Sequence, residues 1–469
     1  MKTKRLLGHF IAGISFLCFL TTMDRAAQAK FVHAEVLVFV PAYEGSQLFD
    51  QTLDKNQSDP ACVWGNYNTF LSSKRYFSLR MPNPLVARPM MSVGPVDVYQ
   101  GFVAQMTKAQ EKLSTFAPYT LGADFFIFSY DWRQEMATVT APKLATALES
   151  YARIHEAKTG MPAGETKFII VTHSMGGLVT RTLLSEKPEW ANRISRLYLV
   201  GSPNDGSVKA IRTLIVGPDS IEDHATGFPG ALLNLLPTDV DQNVTKLVGI
   251  TRPSLYELLP SSDPNWQARD AKGTAHHVHA GDVLNATSWE RYWPSAELEN
   301  RLFLDGWLND REKEGRKQIT ASDWAYCNDP SYAKLKELLT EVRAWRRMLG
   351  PLSHTQRLLT RSGESTRLRV ILSTGVKTPT GVVSIGTHDS SHAYYIYGPK
   401  NEGDGTVEAK RVIDDLDPHS AIIETLHGVP HGRLMIDSQF LNYFSKELEG
   451  GVTVPLRAEQ FEGSNPDQE

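Results

Sequence analysis

A serine with small neighbours ends an apolar, β-branched run near the middle of the chain. Residues 167–173 form the run, Ser174 follows, and Gly176 and Gly177 precede a helix-like pattern, while Thr172 takes the place of a usual glycine. A strand, a sharp turn and a helix in this order are typical of a nucleophile elbow, whose strained turn exposes the serine hydroxyl. The pattern predicts Ser174 as a catalytic nucleophile; the alternative is an ordinary strand-to-helix turn.

A candidate acid lies far downstream of this serine. Residues 393–397 form a strand-like aromatic run, and the turn 403–407 that follows contains Asp404. A serine nucleophile needs a buried carboxylate that orients the imidazole of its base and stabilises the charged form of that base. We therefore predict Asp404 as the acid. The alternative is a solvated turn aspartate, with Asp414 and Asp415 the next acids to consider.

Two histidines follow the next strand-like run, residues 421–426. His427 comes directly after the run and His431 four residues later. Either imidazole can take the serine proton as a general base, and the chain order serine, acid, histidine is the one that α/β-hydrolases use. The residues alone leave the choice between the two histidines open, and a surface histidine is the alternative for each.

Four further stretches carry a resemblance to a known family. They are Leu37–Leu48, Tyr130-Asp131-Trp132-Arg133, Gly201–Gly206 and Gly403–Val407. Together with the elbow, they make the chain similar to the lecithin:cholesterol acyltransferase family, which includes lysosomal phospholipase A2 and the phospholipid:diacylglycerol acyltransferases. The resemblance is clear over about residues 36–206 and 367–440 and weak between them.

The resemblance implies an α/β-hydrolase fold, in which a mostly parallel central sheet has helices on both faces and carries a large cap or lid insertion. It implies His431 as the base, because the base of the family aligns with the second histidine of the pair. It implies that the backbone N–H groups of Met175 and Tyr43 stabilise the oxyanion. The Asp131-Trp132-Arg133 string is implied as a structural brace beside the pocket.

The chain departs from the family at two further positions. Ala42 stands where the oxyanion loop usually has glycine, and no cysteine lies near Cys62, although the lid of the family is often closed by a short-range disulfide. In an oxidising compartment Cys62 and Cys327 would form a bridge, or both are buried thiols. These departures leave the substrate and the acceptor open.

The first residues have the pattern of a secretory signal peptide. Lys2, Lys4 and Arg5 precede the apolar stretch 6–20, and Ala27-Gln28-Ala29 forms a cleavage site before Lys30. A membrane anchor is the alternative, although the stretch is short for a span. The pattern predicts export, with a periplasmic or secreted product.

Five segments are predicted along the chain. They are a signal peptide (1–29), a first core part (30–206, with a lid-like loop at about 49–100), a cap insertion (207–366), a second core part (367–449) and a loose tail (450–469). The apolar patterns predict core strands at 34–40, 124–130 and 195–200, and helices at 142–155 and 331–349.

Composition narrows the class of partner. Charged residues make up 22% of the 469 residues, the formal charge is −4, and no basic stripe stands out, so nucleic acid is not expected as the main partner. Residues 276–279 contain three histidines, but their spacing is too local for a tetrahedral site, so we predict no metal and no cofactor. The oligomeric state stays open.

The function predicted from these patterns is that of an exported serine acyl hydrolase or O-acyltransferase. Its substrates would be lipid esters, such as phospholipid acyl chains at a membrane surface, and its acceptor would be water or a hydrophobic alcohol. Two alternatives remain: a serine hydrolase of a non-lipid ester, thioester or amide, and a non-catalytic lipid-binding protein on the same fold.

Overall fold

The computed structural model describes fourteen stretches of the chain. They are residues 31–51, 61–66, 78–81, 83–107, 117–216, 248–249, 251–262, 266–269, 275–278, 283–286, 332–360, 367–385, 393–397 and 400–455. The signal peptide, Cys327, most of the cap insertion and the last residues of the tail lie outside these stretches, so the expectations for them stay predictions.

Short strands alternate with helices along these stretches. The strands are β1 (Phe31–His33), β2 (Glu35–Val40), β3 (Ser46–Asp50), β4 (Ala61–Trp64), β5 (Val86–Pro89), β6 (Ser92–Val93), β7 (Val96–Asp97), β8 (Phe125–Ile127), β9 (Lys167–His173), β10 (Ile194–Val200), β11 (Trp266–Arg269), β12 (Ala275–Val278), β13 (Leu368–Thr374), β14 (Val376–Thr378), β15 (Gly381–Ile385), β16 (Ala393–Tyr397), β17 (Lys400–Gly403), β18 (Ile422–His427) and β19 (Thr453–Pro455).

The α-helices of the described residues are α1 (Gln100–Thr107), α2 (Ala141–Thr159), α3 (Met175–Glu186), α4 (Val208–Val216), α5 (Pro253–Glu257), α6 (Tyr332–Leu349), α7 (Leu352–Leu359), α8 (Ala409–Ile413) and α9 (Ser438–Leu448). A π-helical turn at Met136–Thr140 leads into α2, and 3₁₀ turns lie at Pro188–Asn192 and His431–Arg433.

Six strands form the central sheet in the order β18-β13-β10-β9-β2-β8, and every pair in it is parallel. Parallel strands covered on both faces read as continuous apolar runs, as the sequence Glu-Val-Leu-Val-Phe-Val of β2 does. Successive side chains of β2 point to opposite faces. Val36, Val38 and Val40 join one core, while Leu37 and Phe39 join the other.

Each face of the sheet is covered by its own helices. The larger core contains apolar residues of α2, α3, α6 and α7, and the smaller core contains residues of α1 and α9. The predicted α/β-hydrolase fold, with a mostly parallel sheet and helices on both faces, is therefore confirmed.

The strand order places a crevice between β2 and β9. The chain runs from β2 to its neighbour β8 on one side and then returns to β9 on the other side of β2. In open parallel sheets, ligands bind outside the carboxyl ends of the strands where the order reverses. The loops after β2 and β9 are the ones that contain Tyr43 and Ser174.

The predicted elements are confirmed with shifted ends. The strand expected at 34–40 is β2, the one at 195–200 is β10, and the helices at 142–155 and 331–349 are α2 and α6. The strand expected at 124–130 is only Phe125–Ile127, because residues 128–130 leave the sheet.

The strand at 393–397 exists, but it belongs to a different sheet. It is β16 of a four-stranded sheet in the order β12-β11-β15-β16, which joins strands from both sides of residue 366. The central strand that leads to the acid turn is β13, whose apolar run at 368–374 was not recognised as a strand from the sequence. After it the chain makes an excursion and returns through β17, which pairs with β14.

Candidate active site

Ser174 occupies a strained turn between β9 and α3. Its backbone has φ 52° and ψ −122°, a region that non-glycine residues rarely adopt. Such a conformation costs about 1–3 kcal/mol and persists only where the surroundings impose it. The Ser174 N–H donates to the Val200 carbonyl oxygen over 2.8 Å, which ties the turn to the end of β10. This is the geometry expected of a nucleophile elbow.

The glycines after Ser174 are required by close approach. A Cβ on Gly176 would overlap the carbonyl oxygen of Val40, and one on Gly177 would overlap the hydroxyl of Ser202. The start of α3 therefore lies directly against the backbone that leaves β2. The elbow tolerates Thr172 because its hydroxyl is buried and donates to the Tyr198 carbonyl over 2.9 Å.

Asp404 and His431 form a buried pair. Nδ1 of His431 donates to Oδ2 of Asp404 over 2.7 Å, and the His431 backbone N–H donates to the Asp404 carbonyl over 2.7 Å. The other carboxylate oxygen accepts the N–H groups of Thr406 and Val407 over 2.9 and 2.8 Å. Because the carboxylate only accepts, Nδ1 of His431 carries the proton and Nε2 keeps its lone pair.

The end of β10 brings this pair to the serine. Ser174 bonds to Val200, and a Cβ on the next residue, Gly201, would lie 3.4 Å from both Oδ2 of Asp404 and Cε1 of His431. Among the described residues, no hydrogen bond joins the hydroxyl of Ser174 to His431.

The alternative acids and base have other partners. His427 is exposed, and its Nδ1 lies 3.1 Å from the hydroxyl of Thr374. Asp414 and Asp415 accept the backbone N–H groups of Leu352 and Ser353 at the start of α7. The structure therefore brings His431, and not His427, to Asp404.

The loop after β2 lies beside the elbow as a tight turn. The Gly45 N–H donates to the Ala42 carbonyl over 2.9 Å, and Glu44 takes the positive φ of 61° that this turn requires. Ala42 replaces the glycine of the family without a positive φ of its own. The ring of Tyr43 packs edge-on against Trp132, and its hydroxyl accepts from Nη1 of Arg252 over 2.8 Å.

Met175 is the first residue of α3. Its N–H is one of the first four N–H groups of the helix, which have no acceptor within it. At this N-terminal end the helix dipole favours negative charge. Ser174 and Met175 are both buried, with exposed fractions of 6% and 1%. A tetrahedral oxyanion formed on the serine would therefore be stabilised away from bulk water.

The Tyr130–Arg133 string supports the loop after β2, which contains Tyr43. Arg133 makes a two-pronged ion pair with Asp131, with Nε–Oδ1 and Nη2–Oδ2 distances of 2.8 and 2.6 Å. Tyr130 donates its hydroxyl to the Pro41 carbonyl over 2.8 Å, and Trp132 donates Nε1 to the Ser46 carbonyl over 3.1 Å. Both ends of the turn are thus held by side chains of this string.

Sequence reasoning missed Tyr99 and the role of His173. The Tyr99 hydroxyl lies 2.9 Å from Nδ1 of His173 and accepts the Ala42 N–H over 3.2 Å. Burial, and then the charge of His431, hold the pKa of His173 well below its usual 6.5. No short motif surrounds Tyr99; only its aromatic type in the lid-like segment distinguished it.

The described residues contain no group of three or more His, Cys, Asp or Glu side chains placed to bind a metal ion. The backbone of residues 275–278 is the strand β12, and the histidine side chains there lie outside the description. Cys62 is half-buried in β4, with its sulfur 3.1 Å from the Trp64 carbonyl oxygen. No helix of the described residues has both the length and the apolar character of a membrane span.

Comparison with solved structures agrees with the α/β-hydrolase fold. The Tle4-Tli4 complex, known from a crystal structure, contains a chain similar to this one with a TM-score of 0.55 and 12% identity, over 88% of this chain and 98% of that chain. Phospholipase PlaB from Legionella pneumophila is matched over 48% of this chain and 36% of its own at 15% identity, with a TM-score of 0.20.

The family comparison is more specific. Residues 65–267 match the family model described as Lecithin:cholesterol acyltransferase, a segment that contains Ser174 and the Tyr130–Arg133 string. The resemblance indicated by the sequence motifs is therefore confirmed. It supports a lipid-acting acyl hydrolase or acyltransferase. No curated protein matches the sequence.

Proposed function

We propose that this chain is an exported serine acyl hydrolase or O-acyltransferase that cleaves lipid esters through an acyl-serine intermediate. The observation that carries the proposal is the buried Asp404–His431 pair at the end of β10, beside a serine with a positive φ. An ordinary strand-to-helix turn has no reason to maintain that strain. The family match supports lipid esters as the substrate class.

The first half of the reaction forms the acyl-serine. Nε2 of His431 takes the hydroxyl proton of Ser174, and the serine oxygen attacks the ester carbonyl carbon. The N–H groups of Met175 and Tyr43 would receive the oxyanion, each contributing roughly 3–4 kcal/mol to the barrier reduction. His431 then gives its proton to the leaving alcohol as the ester bond breaks. Asp404 keeps Nδ1 protonated and stabilises the imidazolium throughout.

The second half transfers the acyl group. Water or an alcohol loses its proton to Nε2 of His431 and attacks the acyl-serine, and His431 returns the proton to Ser174. Water as acceptor gives a fatty acid; a hydrophobic alcohol gives a new ester. The same three side chains serve both outcomes, and exclusion of water under the cap would decide between them.

A lipid panel tests the reaction. The purified protein is given phospholipid vesicles with and without a sterol or long-chain alcohol, and the products are separated by mass. We expect released fatty acid or a new ester from the wild type and neither from Ser174→Ala, which also loses labelling by a fluorophosphonate probe. Cleavage of a short soluble ester with no action on any vesicle would favour the non-lipid alternative. Labelling of Ser174→Ala at the wild-type rate would overturn the proposal.

Export is tested separately. The Ala27-Gln28-Ala29 site leads us to expect a processed protein that begins at Lys30. N-terminal sequencing of the exported product checks this. A product that still begins at Met1 and remains in the membrane fraction would identify an anchor instead.

A further inference from the structure

Three loops of the candidate active site are joined by one buried chain of hydrogen bonds. The Ala42 N–H donates to the hydroxyl oxygen of Tyr99 over 3.2 Å, and this oxygen lies 2.9 Å from Nδ1 of His173. Nε2 of His173 lies 3.0 Å from the His431 carbonyl oxygen. This series of hydrogen bonds therefore connects Ala42, which precedes Tyr43, with His173, which precedes Ser174, and ends at the backbone of His431.

The direction of each bond follows from what each group can do. A carbonyl oxygen only accepts, so Nε2 of His173 carries a proton and donates a hydrogen bond to the His431 carbonyl oxygen. A neutral imidazole then accepts at Nδ1, so the Tyr99 hydroxyl donates to it. The Tyr99 oxygen in turn accepts from Ala42. One tautomer of His173 satisfies all three bonds.

The environment keeps His173 in that neutral form. Tyr99 and His173 are 4% and 3% exposed. The ring of His173 lies 5.0 Å from that of His431, measured between centroids. Burial and the charge of His431 lower the pKa of His173 well below 6.5. A neutral His173 does not repel the imidazolium that forms on His431 during the reaction.

We propose that Tyr99 and His173 are positioning residues, which hold the oxyanion loop and the base loop at a fixed distance from Ser174. The inference rests on the proposed function, because it assigns the two residues to the same reaction. Neither side chain touches the reacting atoms in this mechanism. Their effect is transmitted through the backbone of Ala42 and His431, so it acts on the transition state and not on substrate binding.

The two hydrogen bonds of His173 can be separated by substitution. In His173→Asn, Oδ1 takes the place of Nδ1 and keeps the acceptor for Tyr99, but the donor to His431 is lost. In His173→Gln, Nε2 keeps the donor to His431, but the acceptor for Tyr99 is lost. Tyr99→Phe removes the hydroxyl and with it the link to Ala42.

The chain offers matched controls at the opposite edge of the sheet. Nε2 of His155 lies 2.9 Å from the His33 carbonyl oxygen, and its Nδ1 lies 3.2 Å from the hydroxyl of Thr166. His155 therefore has the same tautomer and the same kinds of partner as His173, far from Ser174. His155→Asn and Thr166→Val remove equivalent bonds without touching the candidate active site.

The experiment measures kcat and KM on a short-chain nitrophenyl ester, per serine titrated by a fluorophosphonate. Titration counts only folded, reactive sites, so loss of folded protein does not lower the result. For Tyr99→Phe we expect kcat to fall about 10- to 100-fold, with KM changed less than about twofold. His173→Asn and His173→Gln should each lose part of this, and Tyr99→Phe with His173→Gln should lose less than the product of the two single losses. The two controls should keep the wild-type kcat.

The outcomes separate the inference from the proposed function. A wild type that shows no labelling at Ser174 overturns the proposed function and this inference with it. Normal labelling of the wild type, with an unchanged kcat per labelled serine in Tyr99→Phe, overturns the inference alone. So does an equal fall of kcat in Thr166→Val, because a loss of that kind would reflect general loosening of the sheet.

Discussion

The two edges of the central sheet contain the same kind of buried histidine, and the proposed active site lies at the carboxyl edge. His173 at the carboxyl edge and His155 at the amino edge both donate from Nε2 to a carbonyl oxygen and accept a hydroxyl at Nδ1. At the amino edge the Asp124 carboxylate accepts the backbone N–H groups of His33 and Thr120.

The edges differ in what lies next to the histidine. At the amino edge the polar groups bind one another and hold the chain in place, and among the described residues no serine there has a positive φ. At the carboxyl edge the neighbour of His173 is Ser174 with its positive φ. The ring of His431 donates from Nδ1 to Asp404, so its Nε2 can accept a proton. Burial of a histidine is therefore no sign of catalysis. The sign is a second histidine with one nitrogen committed to a carboxylate and the other available.

The largest expected effect separates the two carboxylates. Asp404→Asn should lower kcat by up to about 10⁴-fold, because the amide cannot hold His431 in the needed tautomer or stabilise its charged form. Asp124→Asn should lose stability, because one N–H donor then faces an amide N–H₂, yet its kcat per folded molecule should stay near the wild-type value. Steady-state kinetics on a nitrophenyl ester, normalised to folded protein, measure both.

A double substitution of Ser174 and Asp404 provides the control for Asp404→Asn, because the two effects should not be additive. Once Ser174 is replaced by Ala, the further change Asp404→Asn should lower the residual rate little, since the two act as a unit. A nearly neutral Asp404→Asn would contradict the assignment of the acid and direct attention to Asp414 and Asp415.

A second expected effect compares two glycines. Gly176→Ala would force a Cβ onto the Val40 carbonyl oxygen and push the start of α3 away from the oxyanion loop. We expect kcat to fall about 10- to 100-fold from this displacement. Gly164→Ala, before β9 at the amino edge, meets no atom within 4 Å but has a φ of +85°. It should cost about 1–2 kcal/mol of stability with kcat unchanged. Chemical denaturation and kinetics on both variants test the contrast.

A further contrast is expected between the two histidines of the last loop. His431→Ala should be as severe as Asp404→Asn, whereas His427→Ala should lower kcat less than about threefold, because His427 is exposed and its hydrogen bonds, among the described residues, go to Thr374 and Gln439. Rates measured at several pH values check that the remaining activity of His427→Ala keeps the wild-type pH dependence. Loss of activity in His427→Ala with retention in His431→Ala would reverse the assignment of the base.

Sequence patterns predicted the parts of the candidate site that lie in continuous runs of residues. The elbow around Ser174 is a continuous run of residues, and the order of Ser174, Asp404 and His431 is visible along the chain. The excursion between β13 and Asp404 was not visible, because the strand at 393–397 has the apolar pattern of a core strand while pairing in another sheet. Periodicity shows that a strand exists and does not show which sheet it joins.

The hydrogen-bond chain through Tyr99 was beyond the sequence for a related reason. Tyr99 and His173 are 74 residues apart, and His173 and His431 are 258 apart. Neither pair leaves a pattern of spacing, since each contact depends on how the residue before α1 and the last loop pack at the carboxyl end of β9. The twin at His155 was hidden in the same way. The sequence could indicate the candidate reacting groups, whereas the contacts that hold them are visible in the packed fold.

The smallest expected effect concerns acid stability at the amino edge. Burial lowers the pKa of His155 below its usual 6.5. A histidine with a lowered folded pKa contributes stability that is present above the unfolded pKa of about 6.5 and is lost as the pH falls through that value. Its share of the slope is at most about 1.4 kcal/mol per pH unit. Burial lowers the pKa of His33 in the same direction, while burial raises the pKa of Asp124 to about 6, so that Asp124 contributes stability at low pH that is lost as the pH rises.

Comparison of wild type with His155→Asn isolates the contribution of His155 to the pH dependence of the free energy of unfolding. The variant should have a constant deficit from its altered hydrogen bonds, and its free energy of unfolding should fall less than that of the wild type between pH 8 and pH 5. Urea denaturation at the two pH values measures this difference, and kcat per titrated serine should be unchanged in the variant. An equal fall in both proteins would mean that His155 is protonated in the folded state as readily as in the unfolded one. The likeness of its environment to that of His173, on which the comparison of the two edges rests, would then fail.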